Sequence, residues 1–354
     1  MTVIAETAAQ GEGKAARRPG VAASNAWRLT GLLICLAVLL VTVLASIAVG
    51  SRDIPLPTVI DALLAYDDSN DHAIVQTLRL PRTVLGLLVG AALGISGALI
   101  QALTRNPLAD PGILGVNAGA SFFVLIAVGY FGLTSLQSYI WFAFLGAIVT
   151  TVMVYAVGSS GRNGATPVTL TLAGVAIGAI LGGVSTALTL LNPTAFDRMR
   201  FWAAGALSGG TYEAVTTVAP FIIVGLLLAA VMARPLNAVA LGDDLAKSLG
   251  ANILRVRSVV VIAVTLLAGG ATAAAGPIGF VGLMVPHVAR WIVGPDQRWI
   301  MAYTLVLAPV LLLVSDIVGR IVMRPGEIQV AIVTAFIGAP VLILLARRRK
   351  VSGL

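Results

Sequence analysis

Long apolar runs, separated by short polar breaks, fill the chain after residue 28. With approximate ends they cover 29–50, 82–104, 112–133, 138–158, 168–191, 213–233, 256–275, 279–294, 299–318 and 328–346. Most approach the roughly 20 residues that a helix needs to cross a bilayer. The run at 279–294 is short and contains Pro286, so nine is the alternative count and ten the expected one. The pattern predicts an all-α polytopic membrane protein with ten transmembrane helices. Stretches 82–191 and 256–346 each hold four runs of opposite expected orientation, as an inverted repeat would, without a residue-level match.

The breaks divide the chain further. Residues 1–28 are polar and predict a disordered cytoplasmic tail; 29–346 form the membrane domain; 347–354 form a basic cytoplasmic tail. The longest polar interlude, 51–80, holds five aspartates and a short surface helix at Val59–Leu64. It ends in a charged collar, Arg79-Leu80-Pro81-Arg82. Pro81 suits a first helical turn, where its missing N–H costs nothing. Gly86, Gly90 and Gly94 then repeat at four-residue spacing, and Gly174, Gly178 and Gly182 do so later. Such ladders give a membrane helix a flat stripe for close packing. The helix that follows the collar closes on a polar turn, Thr104–Pro111, where Asn106 and Asp110 are placed to cap the next helix.

Composition sharpens this. The 354 residues are 58% hydrophobic and 11% charged, with 38 glycines and a mean hydropathy of +0.98. A soluble domain carries about 25% charged residues. The net charge of +8 is scattered between apolar runs, with no basic face interleaved with aromatics, so no nucleic-acid partner is expected. With the N-terminus inside, sixteen of the 23 Lys and Arg fall on inner segments and seven on outer ones. That asymmetry places both termini in the cytoplasm and requires an even helix number. Arg52, Arg79, Arg82, Arg198, Arg200, Arg320 and Arg324 are the seven outer exceptions.

No catalytic residue and no metal site are expected. Cys35 is the one cysteine, and His72 and His287 lie far apart in sequence. Gly11-Glu12-Gly13-Lys14 lacks the earlier Gly and the following Ser or Thr of a phosphate loop. Arg17-Arg18 has no apolar core directly after it, so it is a poor twin-arginine signal.

Two shorter segments stand out. The stretch 192–212 is too short to span, and a helix at about Phe201–Ser208 is expected there, at the outer mouth. The loop Arg234–Arg257 contains an amphipathic helix with a Gly stop, Leu241–Gly250. Its leucines repeat at four-residue spacing, and Asp243 and Asp244 sit near its start, where the helix dipole favours them. It is either a solvated connector on the membrane or the element that a motor subunit pushes.

The motifs RLPR (79–82), TRNPLADPGILGVNAGA (104–120), LTLAGVAIGAI (170–180), LNPTAFDRMRFWAAGALSGG (191–210), LGDDLAKSLG (241–250), GPIGFVGLMVPHVARWIVG (276–294), SDIVGR (315–320) and EIQVAIVTAFIGAPVLILL (327–345) together resemble the FecCD family. These are membrane permeases of type II ABC importers for iron–siderophore complexes, haem and cobalamin. RFW-x-AG-x-L, GLM-x-PH-x-ARW-x-VG and GAPVLI are similar to the ferric-enterobactin branch. The resemblance implies the type II importer permease fold in the plasma (inner) membrane. It also implies a second permease subunit, more in the manner of a heterodimer than a homodimer. Two ATPase subunits would carry the ATP–Mg, with no cofactor in this chain, and an extracytoplasmic binding protein would deliver the substrate.

By the same resemblance, Arg79, Arg82 and Arg320 are sockets for acidic residues of the binding protein. Asp316, four residues before Arg320, makes a structural ion pair the competing role. Leu241, Gly242, Asp243, Asp244, Ala246, Lys247, Ser248 and Gly250 correspond to a coupling helix seated on the ATPase. Ala246 and Gly250 are small where close approach is needed; Asp243, Asp244 and Lys247 are candidate polar contacts. Phe201, Trp202, Gly205, Leu207 and Ser208 correspond to an outer gate.

The expected substrate is a ferric siderophore, with a catecholate first. Haem and cobalamin remain alternatives. Arg198 and Arg200 would suit an anionic complex or lipid headgroups equally. An ion-coupled secondary transporter is disfavoured because the helix interiors hold almost no ionisable residue. An intramembrane enzyme is disfavoured by the lack of an acid–base pair or metal motif.

Overall fold

The computed structural model describes residues 21, 24–160 and 167–347, and every regular element among them is helical. The tails at 1–20, 22–23 and 348–354 lie outside the described residues, as does Arg162. In chain order the helices are α1 (Asn25–Ala48), α2 (Leu56–Leu64), α3 (Asn70–Ala73), α4 (Leu80–Thr104), α5 (Val116–Gly129), α6 (Leu136–Ser159), α7 (Pro167–Leu191), α8 (Pro193–Ala203), α9 (Tyr212–Val239), α10 (Asp243–Ser248), α11 (Ile253–Ala275), α12 (Val281–Val293), α13 (Gln297–Val322) and α14 (Val330–Arg347). Each apolar run holds one of them. The first helix starts inside the segment expected to be a tail, with Ser24 as its N-cap accepting from the Trp27 N–H.

Among the described residues, seven helices are long and apolar enough to cross a membrane, the second being Asn70–Thr104 taken as one. Val116–Gly129, Val281–Val293 and Val330–Val341 are shorter apolar helices. At 1.5 Å per residue, α5 and α12 reach only about 20 Å, short of a core of about 30 Å. Each is preceded by irregular backbone packed inside the protein, which is where such backbone is tolerated. A 3₁₀ turn, Pro111–Leu114, leads into α5. Gly276–Phe280 leads into α12, and the positive φ of Gly276 (+71°) sets it directly under the Trp202 carbonyl, where a Cβ would not fit.

The collar does not begin its helix. The chain is helical from Asn70, and α3 runs through a π turn, Ile74–Arg79, into α4. Pro81 has no N–H to give the Thr77 carbonyl, and the helix widens to π spacing just before it.

The α4 helix is the centre of the bundle, flanked by α9, α11, α12 and α13, and nearly every residue from Val89 to Ala102 is buried. Its glycine stripe does what the spacing predicts. A Cβ at Gly86 would stand 2.6 Å from Leu313 Cδ2, and one at Gly90 would stand 2.6 Å from the Pro309 Cα. One at Gly94 would strike Ala308. The stripe therefore seats α4 directly on α13. On another side Gly97 of α4 meets Gly282 of α12 backbone to backbone. The second ladder behaves differently. Gly174 is buried, Gly178 has only Ala118 Cβ at 3.8 Å, and Gly182 is exposed with nothing within 4 Å. The close packing expected at Gly178 and Gly182 is thus not made among the described residues, because α7 keeps one face outside the bundle.

Candidate functional site

The structure gathers Arg79, Arg82 and Arg320 at one end of α4, together with two acidic residues from α13 and the loop before α14. Arg82 bonds Asp316 through Nη2 at 2.7 Å and Nε at 3.1 Å, and Glu327 through Nη1 at 2.8 Å. Arg320 pairs with Asp316 Oδ2, the oxygen that Arg82 Nε also reaches, at 2.8 Å, one helical turn away on α13. Its Nη1 also donates to the carbonyls of Ser46 (2.9 Å) and Val49 (2.7 Å). Arg79 donates to the carbonyls of Ile47 (3.0 Å), Ala48 (2.6 Å) and Arg52 (2.6 Å). The last carbonyls of a helix have no partner inside it. Two guanidinium groups satisfy those at the end of α1, where the helix dipole also favours positive charge.

Within this chain the three arginines are already engaged. Arg79 and Arg320 are 5% and 2% exposed, and the Arg82 side chain 13%. Their donors are engaged within the chain, so the structural ion pair weighed for Arg320 is present. Nothing in the sequence connects Glu327 to Arg82, 245 positions away. Arg324 lies beside them, bonded to Asp53 at 2.8 Å and to the Gly50 carbonyl at 2.9 Å. Arg52 pairs with Asp71 at 2.9 Å and is mostly exposed.

The segment expected to gate the outer mouth lies against this cluster. Its helix is α8, Pro193–Ala203, earlier than expected; only Phe201 and Trp202 of the named residues belong to it. Gly205, Leu207 and Ser208 form the turn after it. Gly205 has φ +69° and approaches the Pro277 carbonyl and Ala331 closely. The Ala206 N–H donates to the Ala275 carbonyl (2.8 Å), and the Ala331 N–H to the Gly205 carbonyl (3.2 Å). Trp202 Nε1 donates to the Ala273 carbonyl at 3.3 Å. Leu207 is fully buried beside Gly86, and Gly210 abuts the Arg82 Cα. Ser208 is exposed. The turn thus links α8, α11, α14 and the start of α4.

At the other end of α4, Arg105 takes a left-handed conformation (φ +52°) that closes the helix. In the turn after it, Asp110 caps the 3₁₀ turn by accepting from the Gly112 N–H at 2.8 Å, whereas Asn106 accepts from the Leu108 N–H within the turn and α5 itself has no side-chain cap. Burial raises the Asp110 pKa, against the lowering effect of that N–H. The short helix α10 lies here too. Leu241, Leu245 and Leu249 are 39%, 50% and 63% exposed, a ridge of apolar side chains that the described residues leave uncovered. Asp244, Lys247, Ser248 and Gly250 are exposed along it, with Asp244 and Lys247 3.9 Å apart. Ala246 is fully buried against its own chain, so its small size serves internal packing. Gly242 (φ +110°) and Gly250 (φ +82°) allow the turns at each end. Asp243 turns inward onto Arg105 and Arg257.

A family model of the FecCD transport family matches residues 38–348. This chain belongs to the FecCD transport family. It is 45% identical over 333 residues to the ferric enterobactin transport system permease protein FepD of Escherichia coli (strain K12), covering 94% of this chain and 98% of that one. It is 39% identical to the probable siderophore transport system permease protein YfiZ of Bacillus subtilis (strain 168), covering 92% and 97%. It is 37% identical to the cobalamin import system permease protein BtuC of Halobacterium salinarum (strain ATCC 700922 / JCM 11081 / NRC-1), covering 80% and 76%. A solved structure described as an inward-facing conformation of a putative metal-chelate type ABC transporter shares the fold, with a TM-score of 0.80 and 25% identity over 90% of this chain and 99% of that one. As a family member, the chain is a permease subunit of an ABC importer for iron–siderophore type substrates, not an enzyme. ATP hydrolysis belongs to a separate subunit.

Proposed function

We propose that this chain translocates a ferric siderophore of the catecholate class across the plasma (inner) membrane. It would do so beside a second, similar permease, with two ATPase subunits on the cytoplasmic side. The observation that carries the substrate class is the 45% identity to the ferric enterobactin permease over almost its whole length. Cobalamin is the second reading, because a cobalamin permease is also 37% identical. In this proposal the three shorter apolar helices also cross, giving ten spans with both termini in the cytoplasm. The collar then faces outward and α10 faces the ATPase.

The mechanical cycle follows from that orientation. The collar sets three guanidinium groups against two carboxylates, Asp316 and Glu327, which leaves positive charge over. That residual charge attracts the acidic lobes of a binding protein and sets their register. Gly210 of the gate turn abuts the Arg82 backbone, so docking on the collar bears on the turn directly. At the opposite end, the leucine ridge of α10 seats in the ATPase.

Deletion of this chain, followed by growth on single iron sources, tests the substrate. The expected result is loss of growth on ferric catecholates, with cobalamin uptake intact. Undiminished growth on every catecholate would refute the substrate assignment.

A further inference from the structure

The two adjacent aspartates of α10 face opposite ways, and only one of them is free to meet a partner. Asp244 is exposed at the surface of the helix. Asp243 reaches back across the bundle. Its Oδ1 accepts from Arg105 Nη2 at 3.3 Å, and its Oδ2 accepts from Arg257 Nη2 at 2.7 Å. Arg105 is the residue that ends α4, and Arg257 lies in the second turn of α11. We propose that Asp243 is a positioning residue: its carboxylate clasps the coupling helix to the ends of α4 and α11, so that movement of α4 is delivered to the ATPase surface.

The backbone alone does not make this connection. Tight turns join α10 to α9, through Leu241 N–H to Ala238 and Gly242 N–H to Val239. Another joins it to α11, through Ala251 N–H to Ala246. Neither reaches α4, which is 138 residues away in sequence. Without the carboxylate, two guanidinium groups that share it would repel each other and move apart. The other end of α4 is held in the same manner, by Arg82 on Asp316 and Glu327. A tilt of α4 that starts at the collar therefore pulls Arg105, and Arg105 pulls α10 through Asp243. The three side chains are each about one-third exposed, and a docked ATPase would shield them from water and strengthen the clasp.

This proposal rests on the permease reading above, and the test separates the two. Asp243→Asn, Asp243→Glu and Arg105→Gln are made in the complete transporter in vesicles. Co-purified ATPase and hydrolysis stimulated by the loaded binding protein are then measured. Asp243→Asn is expected to retain the ATPase but lose at least five-fold in stimulated hydrolysis. Asp243→Glu restores most of it. Arg105→Gln, which leaves the bond to Arg257 in place, keeps the fold and loses stimulation in the same direction. Wild-type stimulation in Asp243→Asn, or loss of the ATPase from the complex, would overturn the proposal. The second result would make Asp243 a contact instead. Wild-type uptake in the same vesicles reports on the permease reading, and the variant-to-wild-type ratio reports on the clasp.

Discussion

Asp316 holds two arginines from two helices with its two oxygens, and it is 2% exposed. Removing one partner of a buried pair leaves an uncompensated charge and costs about 3–5 kcal/mol. Asp316→Ala is therefore expected to lower the unfolding midpoint of the purified chain sharply, with α1 released from the collar. A midpoint within a degree of wild type would contradict that role. The arginines themselves were visible in the sequence as a collar and as the close of SDIVGR. Their engagement was not. Arg79 bonds carbonyls 27 to 32 residues away, and Glu327 is 245 residues from Arg82. Only Asp316, one turn before Arg320, left a local trace.

Elements were more legible than contacts. The expected span at 168–191 became Pro167–Leu191, and that at 256–275 became Ile253–Ala275. Hydrophobic length alone fixes such segments, because a buried helix satisfies its own backbone. The gate helix starts eight residues earlier and ends five residues earlier than the sequence predicts, because Gly205 terminates it and Phe201-Trp202 sits at its end rather than its start. The two glycine ladders read identically in sequence, yet the first packs at every step while the second is open at Gly182. Gly90→Leu drives a side chain into the Pro309 backbone and is expected to cost upwards of about 1–3 kcal/mol. Gly182→Leu meets nothing among the described residues and should leave the thermal stability of the isolated subunit unchanged. Thermal unfolding of the two variants side by side checks the contrast; equal destabilisation would mean that the α7 stripe is packed internally after all.

At the scale of the whole molecule, α4 joins two charged assemblies. One end carries the collar and touches the gate turn; the other carries Arg105 and reaches α10. Family membership was legible because the motifs at both ends are long and distinctive. The substrate was not, since permeases named for enterobactin, citrate, hydroxamate and cobalamin all align with this chain. The central claim is ATP-driven import through this subunit. It is tested most directly by uptake of a labelled ferric catecholate into vesicles that hold this chain, its companion permease, the ATPase and the binding protein. Uptake that requires ATP and survives collapse of the proton gradient is the predicted result. Uptake that persists without the ATPase and stops when the gradient is collapsed would contradict it.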